Sequence, residues 1–236
     1  YAYRLDDVRF ALDTCLVQQP DAGTAASLAI ASAPLWFRLS EVSEYLGCIR
    51  AALDHVHRSP VPDRLAAGRL EIALYNALWH TGGALAEMTQ ACERALAGAL
   101  EFKVPALEFQ ARWGLCALNI TRGEYAPALR HAEILNDHAG RSHKPVTRNL
   151  SQRMLALASH LCGAFPDAEA HAREAAAVDE ATRRHRDNAF QPDARTTAVA
   201  ILARTLWIRG DGGLAMRTAL QCSEEAEALG HALSLC

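Results

Sequence analysis

Hydrophobic positions along this chain recur at helical rather than strand spacing. Val42, Leu46, Ile49, Leu53 and Val56 step by fours and threes into one apolar stripe, with Ser40 placed to cap its helix. Val146, Leu150, Met154, Leu157 and Leu161 form a second stripe, and Ala215, Ala219, Cys222, Ala226 and Leu229 a third. β-Branched residues are scattered and no alternating run persists, so the chain is predicted to be all-α.

Breakers divide the helical pattern at short intervals: Pro60 and Pro62, Gly82 and Gly83, Gly123, Gly140, Gly163 with Pro166, Pro192, and Gly210 with Gly212 and Gly213. Helices of about four or five turns joined by tight turns follow. The breakers are also periodic. Gly83, Gly123 and Gly163 stand 40 residues apart, and Gly210 comes 47 further on.

Aligned on these glycines, the positions nine before are Leu74, Gly114, Met154 and Ile201, and those eight before are Tyr75, Leu115, Leu155 and Leu202. Five after come Met88, Ala128, Ala168 and Ala215; twelve after come Ala95, Leu135, Ala175 and Cys222. An apolar patch before the turn and small residues after it describe stacked antiparallel helix pairs, a TPR-like α-solenoid. The prediction is one repeat domain over 1–236, with an atypical first layer at 1–58 and repeats at about 62–101, 104–140, 144–181 and 192–229. The longer last interval coincides with the polar stretch Thr182 to Gln191, read as a loop insertion.

Half the 236 residues are hydrophobic, enough for a sizeable core, and the formal net charge of −3 gives no general pull toward nucleic acid or anionic membrane. Seven cysteines, odd in number and never spaced as CxxC, suggest neither a disulfide framework nor a zinc site. Most are expected to be small buried apolar residues in a reducing cytoplasm. No membrane span or signal peptide is visible. The chain begins at Tyr1 and stops at Cys236 within a helix-like run, so it reads as a piece of a longer cytoplasmic protein.

No GxxxxGK[ST], GxSxG or HExxH word occurs, so no catalytic role, cofactor or metal is expected of this part. His55 and His57 fall on different helix faces; His131, His138 and His143 make no ligand set and read as solvated helix residues. The basic run Arg183, Arg184, His185 and Arg186 is flanked by Glu180 and Asp187 and reads as a solvated loop. Trp36, Trp79, Trp113 and Trp207 are expected to pack at repeat junctions.

One polar set repeats. Fifteen and eleven positions before the turn glycines stand Glu108 and Arg112, then Arg148 and Gln152, then Arg195 and Val199. Stacked first helices would align them along one face. Two readings stay open: a concave groove for an acidic peptide, a phosphorylated ligand or another domain, and internal Arg–Glu ladders between neighbouring helices.

Several words carry a family likeness: LDDVRFAL at Leu5 to Leu12, PLWFRLS at Pro34 to Ser40, RWGLCALNITRGEYAPAL at Arg112 to Leu129, RMLALASHLCGAFPDAEAHAREA at Arg153 to Ala175, FQPDARTTAVAILARTLWIRG at Phe190 to Gly210, and the final GHALSLC. With them the chain resembles the C-terminal helical tail of bacterial signal-transduction ATPases that regulate transcription, proteins built of a winged helix, an NB-ARC-like nucleotide module and a TPR-like tail. The resemblance implies a sensor or autoinhibitory role, with other domains of the same protein, a protein or peptide, or a small-molecule signal as partner. It supplies no catalytic residues. The alternative is a free-standing TPR-like scaffold that binds a partner peptide.

Overall fold

The structure, a computed structural model, describes residues 2–18, 21–60, 63–142, 144–177 and 193–230. The inserted loop, the basic run Arg183 to Arg186, Phe190, Pro192, His143 and the residues after Gly230 lie outside that set. The described residues are helical apart from turns and caps, and they gather into two compact units, 1–118 and 119–236.

The first unit holds α1 (Ala2–Asp13), which runs on into a π-helical turn (Thr14–Gln18), then α2 (Ala22–Arg38), α3 (Val42–Arg58), α4 (Arg64–Thr81), α5 (Leu85–Glu101) and α6 (Pro105–Thr121) as far as Leu118. Within it α2 packs on α3, α3 on α4 and α4 on α5, with α2 also touching α4. The second unit holds the last turn of α6, then α7 (Tyr125–Ser142), α8 (Pro145–Leu161), α9 (Phe165–Ala176), α10 (Ala194–Ile208) and α11 (Gly212–Leu229). Here α8 lies against α7, α9 and α10, and α10 lies against α9 and α11.

Aspartates start four of these helices. Asp21 accepts hydrogen bonds from the N–H groups of Gly23 and Thr24, Asp63 from Leu65 and Ala66, Asp193 from Thr196, and Asp211 from Leu214. Each cap satisfies orphan donors of a first turn and is worth about 1 kcal/mol. Ser40 is not a cap: it sits in the turn at φ +61°, and Glu41 precedes α3. Gly140 does not break a helix either, since α7 continues through it to Ser142.

Four turns share one hydrogen-bond pattern. After a left-handed glycine at Gly82, Gly123, Gly163 or Gly210, the next N–H reaches the carbonyl five residues back: Gly83 to Leu78, Glu124 to Asn119, Ala164 to Ser159 and Asp211 to Leu206, at 2.8–3.0 Å. In the first of these the left-handed residue is Gly82, not Gly83. Gly83 is required for a different reason, because a Cβ there would stand 2.5 Å from the Leu78 side chain.

Burial recurs at the positions aligned in the sequence, although the turn glycine of the first repeat is Gly82, one residue before the glycine used to align it. All eight residues at positions nine and eight before the aligned glycines are buried, as are Met88, Ala128, Ala168, Ala215, Ala95, Leu135 and Ala175 after them; Cys222 is half-buried. Second helices bury narrow alanine stripes, such as Ala168, Ala172 and Ala175 on α9, that let a neighbour approach closely. First helices are enclosed more widely: α4 buries Leu70 through Tyr75, and α8 buries Ser151 through Met154 and on to Ala156. The third sequence stripe is narrower than expected, because Ala219 and Leu229 of α11 face out.

Candidate functional site

Of the repeated polar positions, Arg148, Gln152 and Arg195 reach from a first helix toward a second. Arg148 on α8 donates to Glu174 Oε1 on α9 at 2.6 Å. Arg195 on α10 grips Glu225 on α11 through Nε and the second guanidinium nitrogen, both at 2.9 Å, and also donates to the Ala176 carbonyl. Gln152 donates through Nε2 to Asn136 Oδ1 on α7 at 3.1 Å and accepts at Oε1 from His171 Nδ1 on α9 at 2.6 Å. That amide orientation fixes the His171 tautomer, since Oε1 can only accept. In the first unit, Arg112 Nε bonds Glu108 Oε1 at 2.8 Å within α6, and the pair is largely shielded from water. Val199 is buried.

These contacts have the form of cross-helix ladders, and they differ in openness. The Arg148 side chain is 69% exposed, while those of Arg195 and Glu225 are 24% and 21% exposed. A charged pair in open solvent is worth little, whereas a part-buried, doubly hydrogen-bonded pair fixes how its two helices sit. Arg148 is therefore the most available cation of the predicted set.

Two polar features were missed in the sequence. Glu71, with its side chain 3% exposed, accepts from Arg94 of α5 at 2.5 and 2.8 Å. Its signal was a single acid inside the apolar run Leu70 to Leu74. The second feature is His160 on α8, whose Nδ1 lies 2.9 Å from Thr205 Oγ1 on α10. Thr205 gives its own proton to the Ile201 carbonyl, so His160 Nδ1 is the donor. Burial, with Arg204 nearby, holds the His160 pKa below its ordinary value.

The aromatic expectation holds for Trp36, which is fully buried against Tyr45 and donates to Ser32 Oγ at 3.0 Å. It fails for Trp79 and Trp207: the first meets the Tyr75 ring at a tilt of 54° yet is exposed, and the second is 64% exposed. Cysteines divide similarly, with Cys92 and Cys116 buried, Cys15, Cys48 and Cys222 half-buried, and Cys162 exposed. Burial pushes the Cys92 and Cys116 thiols up to about 12, so neither is a ready nucleophile. His131 and His138 are half-buried rather than solvated. Among the described residues no cluster of three His, Cys, Asp or Glu is placed to hold a metal ion, and no helix is long and apolar enough to cross a membrane.

This arrangement of helix pairs is that of TPR-like repeat proteins. BtubC (BKLC) from P. vanneervenii superposes with a TM-score of 0.74 at 12% identity, over 97% of this chain and 92% of that one. A kinesin light chain of Podosopora anserina with nearly identical TPR-like repeats gives 0.65 at 15% identity, over 87% and 97%. The apo form of RapI gives 0.66 at 13% identity over 89% of this chain, which spans 56% of the length of RapI. No protein-family model matches the sequence, and no curated protein matches it.

Proposed function

We propose that this chain is a non-catalytic interaction module that serves as the sensing tail of a signal-transduction ATPase regulating transcription. The family resemblance of its words supplies the regulatory context, and the TPR-like fold supplies a frame suited to holding a protein or peptide. The observation that carries the reading is the charged bridging of first to second helices by Arg148 and Arg195. An acidic or phosphorylated group competing with Glu174 for Arg148, or with Glu225 for Arg195, favours a packing in which those helices separate. A ligand acts as a signal only through such a difference in affinity between two packings. Gln152, Arg112 and Glu108 belong to the same set of candidate contacts, with Gln152 coupling three helices. Its partners are other domains of the same protein, a protein or peptide, or a small-molecule signal, and the site of action is the cytoplasm.

The test compares nucleotide hydrolysis and DNA binding of the full protein with and without the residues from Leu5 onward. A rise in either activity on removal supports an autoinhibitory sensor. A protein with neither activity to release overturns it in favour of a free-standing scaffold. The near end-to-end superposition on BtubC is the observation that favours that second reading.

A further inference from the structure

Helix α8 is attached to its neighbours unevenly along its length. Among residues 149–153, Asn149, Ser151, Gln152 and Arg153 are buried and polar. On α10, 47 residues further on, the same places are taken by Thr196, Ala198, Val199 and Ala200. On α4, counted from Gly82, Leu70 and Ile72 stand where α8 has Ser151 and Arg153. The second half of α8 buries Met154, Leu155, Ala156 and Ala158, and Ala156 belongs to one apolar cluster with Ile201, Leu202 and Leu206 of α10.

Hydrogen bonds thus do at the start of α8 what apolar packing does in its second half. Asn149 donates to the Ala175 carbonyl at the end of α9, Gln152 joins Asn136 of α7 to His171 of α9, and Arg148 pairs with Glu174. Such bonds contribute little net stability, because water takes over both partners when they part, whereas uncovering apolar side chains carries the full cost of hydration. The helix start has no local support to make up the difference. Lys144 stands at the N-cap and makes no side-chain capping bond, while α10 begins with Asp193, which accepts from the Thr196 N–H. Two uncapped turns released from their neighbours fray, since too few hydrogen bonds remain to offset the ordering of the backbone.

We infer that residues 145–153 form a latch, which opens from α7 and α9 by fraying as far as Met154 while the rest of α8 and α10 stay packed. The end of α9 does not leave with them, because Arg195 of α10 also holds the Ala176 carbonyl. Opening frees Arg148 and uncovers Glu174, His171 and Asn136 together. The latch deepens the reading above by naming the contact that gives the second packing. It is tested on the protein alone, so its failure leaves the hydrolysis and DNA-binding test to stand or fall separately.

Hydrogen–deuterium exchange of the whole protein, read by mass spectrometry across a series of sub-denaturing urea concentrations, separates a local opening from global unfolding. Amides of 149–153 are expected to exchange at least tenfold faster than those of 198–206, with a much shallower dependence on urea. Gln152→Ala speeds exchange at 149–153 by about tenfold. Ile201→Val, at a fully buried position of α10, speeds 198–206 by about two- to tenfold and leaves 149–153 unchanged, since the opened form keeps that packing. The wild-type profile decides even where a variant does not fold. Equal rates and equal urea slopes in the two segments overturn the latch. So does Ile201→Val speeding both segments alike, or Gln152→Ala leaving 149–153 as protected as before.

Discussion

Arg195 holds Glu225 by two parallel hydrogen bonds of 2.9 Å and so ties the start of α10 to the last turns of α11. Both side chains are about three-quarters shielded. Replacing one partner removes the two-bond pairing from the other charge while it stays part-buried. Glu225→Gln is expected to lower stability by about 1–3 kcal/mol, and Arg195→Met by a similar amount. A double-mutant cycle read by denaturant unfolding checks it; additive losses would mean that the pair does not couple the helices.

Two turns use the left-handed conformation without glycine. Ser40 has φ +61° and Lys103 φ +53°, and the residues after them close the same five-residue hydrogen bond, Glu41 to Trp36 and Val104 to Ala99. Ser40→Gly and Lys103→Gly are each expected to raise stability by about 0.5–1 kcal/mol, since glycine meets no Cβ clash there. The reverse change, Gly123→Ala at φ +77°, costs about 1 kcal/mol. Melting temperatures of the three variants decide the matter.

Gly114 is needed for space rather than for backbone freedom. A Cβ on it would lie 2.5 Å from Cys92 Sγ and 3.3 Å from the Tyr75 ring, all three residues being buried. Gly114→Ala should therefore destabilise by about 1–3 kcal/mol, with partial rescue on adding Cys92→Ala. Ala168→Leu, at a fully buried position of the α9 stripe, carries a penalty of the same order.

The Tyr45 hydroxyl is buried and has no hydrogen-bond partner among the described residues, although its ring stacks on Trp36 at 6.0 Å and meets Phe37 edge-on. Burial raises its pKa, keeping it neutral. Tyr45→Phe keeps the ring contacts and removes an unsatisfied group, so stability is expected to hold or to rise by up to about 1 kcal/mol. A loss greater than that in urea unfolding would show a bond to the hydroxyl.

For His160 the pKa falls below 6.5 on folding. The unfolded chain then binds the proton more readily than the folded one, so stability is constant above the unfolded value, declines as pH drops below about 6.5, and levels off beneath the depressed folded value. His160→Gln should flatten that part of the profile. Equilibrium unfolding at a series of acid pH values in both proteins measures the difference.

The sequence by itself determined the all-α class, the periodic turn glycines and the small residues of the second helices. These depend on local chemistry and on a register that a 40-residue period makes legible. A glycine doublet obscured which member turns the chain: conformation chose Gly82, and the nearness of Leu78 required Gly83. Tertiary structure alone decided that Arg148 pairs with Glu174 and Arg195 with Glu225, because partners 26 and 30 residues apart are set by how two helices lie side by side. It also decided that Trp36 is interior and Trp207 exposed. Both sit in apolar helical words, and what separates them among the described residues is whether another helix packs over the ring.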